Sequence, residues 1–184
     1  MARRKRYKTF LSARSFQNTL EKVDNYRQTI QLKCEAFVKA LADKGIVVAK
    51  QNVGGYGTYI TFGVTVDPME YGARAIMYAT NNSLIHVEWI GAGVSNGEAD
   101  ISPLLMAEFG SGLRAQANPR GSEFGYGTGT FPGQIHADDP EGWWYQTLDG
   151  EWHHSFGVTP TMPMGHAHEE ILQQVAITAR EVFR

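Results

Sequence analysis

Between Ser15 and Gly45 the apolar residues Phe16, Leu20, Val23, Ile30, Cys34, Phe37 and Leu41 recur at intervals of three, four or seven. This is the period of an α-helix with one apolar face. The spacing predicts a helix over about 15–44, one face buried and the other solvated. Asn18 with Glu21 offers a capping box, Ser15 offers a cap one turn earlier, and Gly45 stands where a C-terminal glycine belongs. Cys34 lies on the apolar stripe and reads as a structural thiol.

The chain then changes period. Gly54, Gly55 and Gly57 follow a short apolar run, but no Gly-Lys-Ser/Thr ending completes a phosphate-binding loop, so a bend is expected. Ile60, Phe62, Val64 and Val66 alternate with Thr61, Gly63 and Thr65, which is the pattern of a half-buried strand stopped by Asp67-Pro68. A second strand over about 74–79 meets Asn81-Asn82 and returns through Ile85, Val87 and Trp89, predicting an antiparallel sheet with one wet face that carries His86 and Glu88. Gly91-Ala92-Gly93 and Ser95-Asn96-Gly97 mark a loop, and Leu104 to Phe109 reads as a strand or a helix-to-strand junction.

Thr159-Pro160-Thr161-Met162-Pro163 punctuates the chain and seats a proline at the start of a closing helix. Its stripe is Met164, Ala167, Ile171, Val175 and Val182, widened by Leu172 and Phe183. The expected fold class is therefore α+β: an antiparallel sheet packed with long N-terminal and C-terminal amphipathic helices, plus a Gly/Trp-rich hairpin arm. Neither an alternating βαβ pattern nor a repeat of fixed period is present, which argues against a nucleotide-binding α/β sheet or a solenoid.

Composition sets the outer limits. At 184 residues and 42% hydrophobic, the chain is long enough for one core. We divide it into a basic tail over 1–14 and a single domain over 15–184, with an arm protruding at about 111–158. The net charge of -2 conceals an asymmetry, because Arg3, Arg4, Lys5, Arg6 and Lys8 take five of the 17 basic residues and leave 12 against 19 acidic ones. One cysteine excludes an internal disulfide framework. No apolar run approaches the roughly 18 residues that span a bilayer, and no signal-peptide core follows the basic tail, so neither a membrane partner nor secretion by that route is expected.

The stretch from Phe124 to Phe156 is the part that a small-domain core explains least. Gly125, Gly127 and Gly129 alternate with other residues and suit an extended arm. Trp143, Trp144 and Trp152 then surround Asp149-Gly150, a dipeptide of tight hairpin turns, and Trp143 to Phe156 reads as a β-hairpin. A two-stranded hairpin alone is marginal in water. It needs a surface, either its own core or a neighbouring subunit, where Trp and Tyr are the usual anchors.

The runs Glu108-Phe109-Gly110-Ser111-Gly112, Gly127-Thr128-Gly129-Thr130-Phe131-Pro132-Gly133-Gln134, Gly142-Trp143-Trp144-Tyr145 and Trp152-His153-His154-Ser155-Phe156-Gly157 occur in this order, followed by Pro160 to Met164. Over about residues 100–170 the chain thus resembles the head-tail joining proteins of long-tailed bacteriophages, also called neck, tail-completion or minor tail-component proteins. The resemblance implies a structural virion protein of the head-tail junction, assembled in the host cytoplasm as a homo-oligomeric ring of sixfold symmetry. It implies adjoining head-completion or connector proteins and tail-terminator or tail-tube proteins as partners, with no catalytic residues and no cofactor. On this reading Phe131, Trp143, Trp144, Tyr145, Trp152 and Phe156 form the subunit or partner interface. The basic residues Arg3, Arg4, Lys5, Arg6 and Lys8 touch the DNA passing through the neck or an acidic partner.

Two other classes compete. His136, His153, His154, His166 and His168 lie near Asp138, Asp139, Glu169 and Glu170, a composition that suits a metal site or a hydrolytic enzyme. Adjacent His153 and His154 point to opposite faces of a strand, and His166 and His168 lie about 200° apart around a helix. The set His136, Asp138 and His153 is what remains. Ser111 is not in a Gly-x-Ser-x-Gly elbow, and no nucleophile stands out. Carbohydrate binding through Trp143, Trp144 and Tyr145 is the third class, since flat aromatic faces cover apolar sugar faces.

Overall fold

The first helix is capped by Ser12. The Ser12 hydroxyl accepts a hydrogen bond from the Ser15 amide at 3.2 Å at the start of α1, Ala13–Asn52. The computed structural model describes residues 12–91, 94–114, 140–146 and 150–184. Within them follow β1 (Ile60–Met69), β2 (Gly72–Asn81), β3 (Ile85–Gly91), β4 (Val94–Ile101), α2 (Pro103–Phe109), β5 (Trp143–Gln146), β6 (Trp152–Ser155) and α3 (Pro163–Val182). The fold class is α+β. Among the described residues the strands form three antiparallel ribbons of two strands each, β1 with β2, β3 with β4 and β5 with β6.

At 40 residues α1 extends about 60 Å, and it runs well past the expected end at 44. Gly45 does not stop it. A Cβ there would stand 2.7 Å from Ile171 Cδ1 and 3.1 Å from the Met77 sulfur, so the glycine lets α3 and β2 approach the C-terminal part of the helix. The helix ends instead at Val53, where the glycines Gly54 and Gly55 open a 3-10 turn. Neither Ser15 nor Asn18 is the cap, since Ser12 holds that place one turn before.

The α1–α3 contact is apolar at its middle and polar on its flank. Lys44 Nζ donates to Thr178 Oγ1 at 2.9 Å and to Gln174 Oε1 at 3.1 Å. Thr178 is fully buried, and Lys44 supplies its hydroxyl with a partner. Farther along, the rings of Phe37 and Phe183 meet at 5.7 Å, and Lys33 Nζ reaches the Arg184 carbonyl. Ala167 and Thr178 thus occupy the buried face of α3, while Val175, expected there, is exposed.

Strand alternation is as the sequence indicates for β1: Ile60, Phe62, Val64 and Val66 face inward, and Thr61 and Thr65 face water. The pairing differs from expectation. Pro68 does not end the ribbon but stands opposite Ala73 near its tip, and β2 folds back on β1 through a turn at Glu70-Tyr71. A two-stranded ribbon leaves each strand an edge that tolerates proline. Asn81-Asn82 is therefore a junction between two ribbons and not the turn of one. Asn81 Nδ2 donates to Ser102 Oγ at 2.8 Å and its Oδ1 accepts from the Leu104 amide at 2.9 Å, tying β2 to the start of α2.

Two further expectations give way here. Ser95-Asn96-Gly97 lies inside β4, with Gly97 opposite Trp89 and the register shifting between Trp89 and Gly91, and not in a loop. Leu104 to Phe109 is helical, because Ser102 caps the Leu105 amide and Pro103 occupies the first position. The core around these joints holds Val53, Ile60 and Ala107, with Tyr56, Phe62, Ala79 and Leu104 against them. Burial there pushes the Tyr56 phenol above its ordinary pKa.

The expectation of one buried face along α1 fails above Ile30. Leu41 is buried, but Phe16, Leu20, Val23 and Ile30 remain 58%, 50%, 43% and 37% exposed. The reason is geometric: α3 covers α1 from Phe37 toward its C-terminal end, and the first turns project beyond it.

Candidate interaction surface

The Glu108-Phe109-Gly110-Ser111-Gly112 run is a structural joint. The Glu108 carboxylate accepts from the amides of Met164 at 2.8 Å and Gly165 at 2.9 Å, capping the first turn of α3 from a neighbouring helix. Negative charge at that end also complements the helix dipole. Met162, in the left-handed region at φ 48°, turns the chain into Pro163. The amides of Thr161 and Met162 donate to the Ala107 carbonyl at 2.8 and 3.0 Å.

Ser111 is buried and its hydroxyl accepts from the Val158 amide at 3.0 Å, while its own amide donates to the Val158 carbonyl at 2.9 Å. Leu113 N–H donates to the Phe156 carbonyl at 3.1 Å. Residues 111–113 and 156–158 therefore zip together, and this ladder closes the base of the expected arm. Gly110 has φ +71°, and a Cβ on it would collide with the Val158 carbonyl. Gly112, at φ +58°, leaves the space that the Trp143 ring fills, with Trp143 Cζ3 2.7 Å from where a Cβ would stand.

The hairpin forms as the tryptophan and glycine pattern indicates. Trp143 pairs with Ser155, Trp144 with His154, Tyr145 with His153 and Gln146 with Trp152. Strand alternation then places Trp143 on one face and Trp144, Trp152 and His154 on the other. Trp143 is half-buried against Gly112 of its own chain. On the opposite face Trp144, Trp152 and Phe156 are 53%, 45% and 40% exposed. His154 lies between Trp144, at 4.8 Å, and Phe156, edge-on at 4.7 Å, and its Nε2–H donates to the Glu141 carbonyl. One ring of the expected interface thus anchors the hairpin, and three present an aromatic face outward.

Phe131, His136 and Asp138 lie outside the described residues, as do Arg3, Arg4, Lys5, Arg6 and Lys8. Of the three-ligand set only His153 is described, exposed on β6. Among the described residues no three His, Cys, Asp or Glu side chains gather around a point that could hold a metal ion. His86 pairs with Asp100 across β3–β4 at 3.0 Å with both side chains exposed, and His166 stands 3.6 Å from Glu169 on the same helix. No helix among the described residues is long and apolar enough to cross a membrane.

Sequence reasoning missed the Glu108 cap and the open upper stripe of α1. The first had a local signal, since Ser102-Pro103 is a helix start and Glu108 lies on that short helix. The second had none, because a periodic stripe carries no record of what covers it. No family model matches the chain, and neither a curated protein nor a solved structure matches it.

Proposed function

We propose that the chain is a structural subunit of the neck of a long-tailed bacteriophage, joining head to tail as part of an oligomeric ring. The observation that carries this reading is the two-faced hairpin. Trp143 fixes it to its own body while Trp144, Trp152 and Phe156 face outward. Large aromatic rings around a polar centre are the composition of interface anchors. The motif run takes structural roles, since Glu108, Gly110, Ser111 and Gly112 serve capping, turning and packing.

In the proposed mechanism the helices and the β1–β2 ribbon form a stiff wedge. Wedges associate side by side until rotation closes a ring, and the outward aromatic face docks on an adjacent subunit or an adjoining ring. The function is mechanical continuity between head and tail. Basic residues of the tail contribute contact with DNA or an acidic partner, with the salt dependence such contacts carry.

The test is electron microscopy of particles made when the gene is disabled, then complemented with the native chain or with Trp144→Ala/Trp152→Ala. Full heads and finished tails lying apart, joined by the native chain and not by the folded variant, are expected. Joined virions without the protein would remove it from the neck. Stoichiometric binding of an oligosaccharide to Trp144 and Trp152, with normal virions, would assign the same rings to sugar recognition.

A further inference from the structure

The exposed stripe of α1 is one part of a longer seam. Counting Arg27, the positions 16, 20, 23, 27, 30, 34, 37 and 41 alternate in steps of four and three. That 3.5-residue average is the seam on which a second helix packs. Its lower part already takes a helix, since Phe37 meets Phe183 and Gly45 meets Ile171 of α3. The upper part begins beside Lys33 and Arg184, where α3 ends, and runs on toward Phe16.

A second uncovered stripe lies on α3. Leu172, Val175, Ala176 and Ala179 fall within about 100° of arc, roughly a third of a turn from the buried face of Ala167, Ile171 and Thr178. Leu172 and Val175 are 61% and 42% exposed. The two stripes cannot cover each other within one copy. The inner face of α3 is already held against the lower half of α1, and its outer face looks away.

We infer that the upper seam of α1 in one copy docks on the outer stripe of α3 in the next. This inference rests on the ring reading and supplies its subunit contact. Three observations favour a second copy of this chain as the occupant. The seam continues an existing helix–helix contact, in which α1 already takes a helix of this chain.

Area is the second. The exposed parts of Phe16, Leu20, Val23, Tyr26 and Ile30 with those of Leu172 and Val175 sum to roughly 700 Å², and at the usual apolar share of about 57% they imply an interface of roughly 1,200 Å², at the lower end of the standard range. The third is pairing logic. Seam-to-seam pairing would stop at two copies and leave the α3 stripe in water, whereas a head-to-tail contact covers both and propagates until a ring closes.

The test uses the full chain and two variants at exposed positions, Val23→Asp and Leu172→Asp, each checked for native helix content and unfolding temperature. Sedimentation velocity should give an assembly larger than a dimer for the native chain and the 20.4 kDa monomer for each variant alone. An equimolar mixture of the variants should give a species of twice the monomer mass and nothing larger, because the good seam of one meets the good stripe of the other. A native chain that stays monomeric, a Leu172→Asp variant that still assembles, or a mixture that stays monomeric would each overturn the pairing. Assembly retained by both variants would overturn it while leaving the neck reading, which the particle images judge separately.

Discussion

Two halves of α1 carry the same apolar period, yet one is a core and the other is a surface. From Phe37 to Ala49 the helix is closed by α3 and by β1–β2, with Leu41, Ala42, Gly45 and Ala49 buried. From Ala13 to Ile30 the same stripe runs on beyond the reach of α3, with the β1–β2 tip beside it near Arg27 and Gln31, and Phe16 and Leu20 are at least half exposed. The difference teaches that periodicity specifies a face that needs cover, while the cover itself depends on how long the neighbouring helix is. A helix of 20 residues cannot cover one of 40.

The sharpest way to break this comparison is to truncate one leucine in each half. Leu41→Ala should destabilise the isolated chain by about 2–5 kcal/mol, whereas Leu20→Ala should stay within about 0.5 kcal/mol of native. Urea unfolding at low concentration reads both. Equal losses would mean that the upper half is covered in the monomer.

Next in size is Gly45→Val, which forces side-chain atoms against Ile171 and Met77. Overpacking of this kind costs about 1–3 kcal/mol, and the same denaturation experiment measures it. A neutral result would mean that α3 is not held against this turn of α1.

Glu108→Ala removes the cap of α3 and should cost about 1–2 kcal/mol. Amide exchange should quicken at Met164 and Gly165, the donors to that carboxylate, and remain unchanged in the upper turns of α1. Quickening in both places would mean that the two regions unfold together.

The smallest effect concerns pH. Burial raises the Tyr56 pKa from its ordinary 10.0, so the folded state prefers the neutral phenol. Its contribution is complete below the unfolded value near pH 10 and is lost as pH rises through the raised folded value. Tyr56→Phe should therefore flatten the alkaline fall of the unfolding temperature. An unchanged fall would place its cause elsewhere.

Much of the fold was legible because its signals are local. The period of α1, the alternation of β1 and Pro163 at the start of α3 each sit in a few neighbouring residues. What was not legible depends on distant partners. Gly45 looks like a helix terminator until Ile171 is placed against it, and Asn81-Asn82 looks like a hairpin turn until Ser102 and Leu104 claim Asn81. The hairpin shows both sides: the sequence indicates Trp143 and Trp144 equally as anchors, and it is Trp143 that packs into the space left at Gly112.

The most direct test of whether the open stripe is an interface is amide hydrogen exchange along α1, in dilute monomer and in assembled protein. In the monomer, residues 13–30 should exchange at least tenfold faster than residues 37–49, and they should become protected to a similar degree on assembly. Protection of residues 13–30 in the monomer equal to that of 37–49, or no change on assembly, would contradict it.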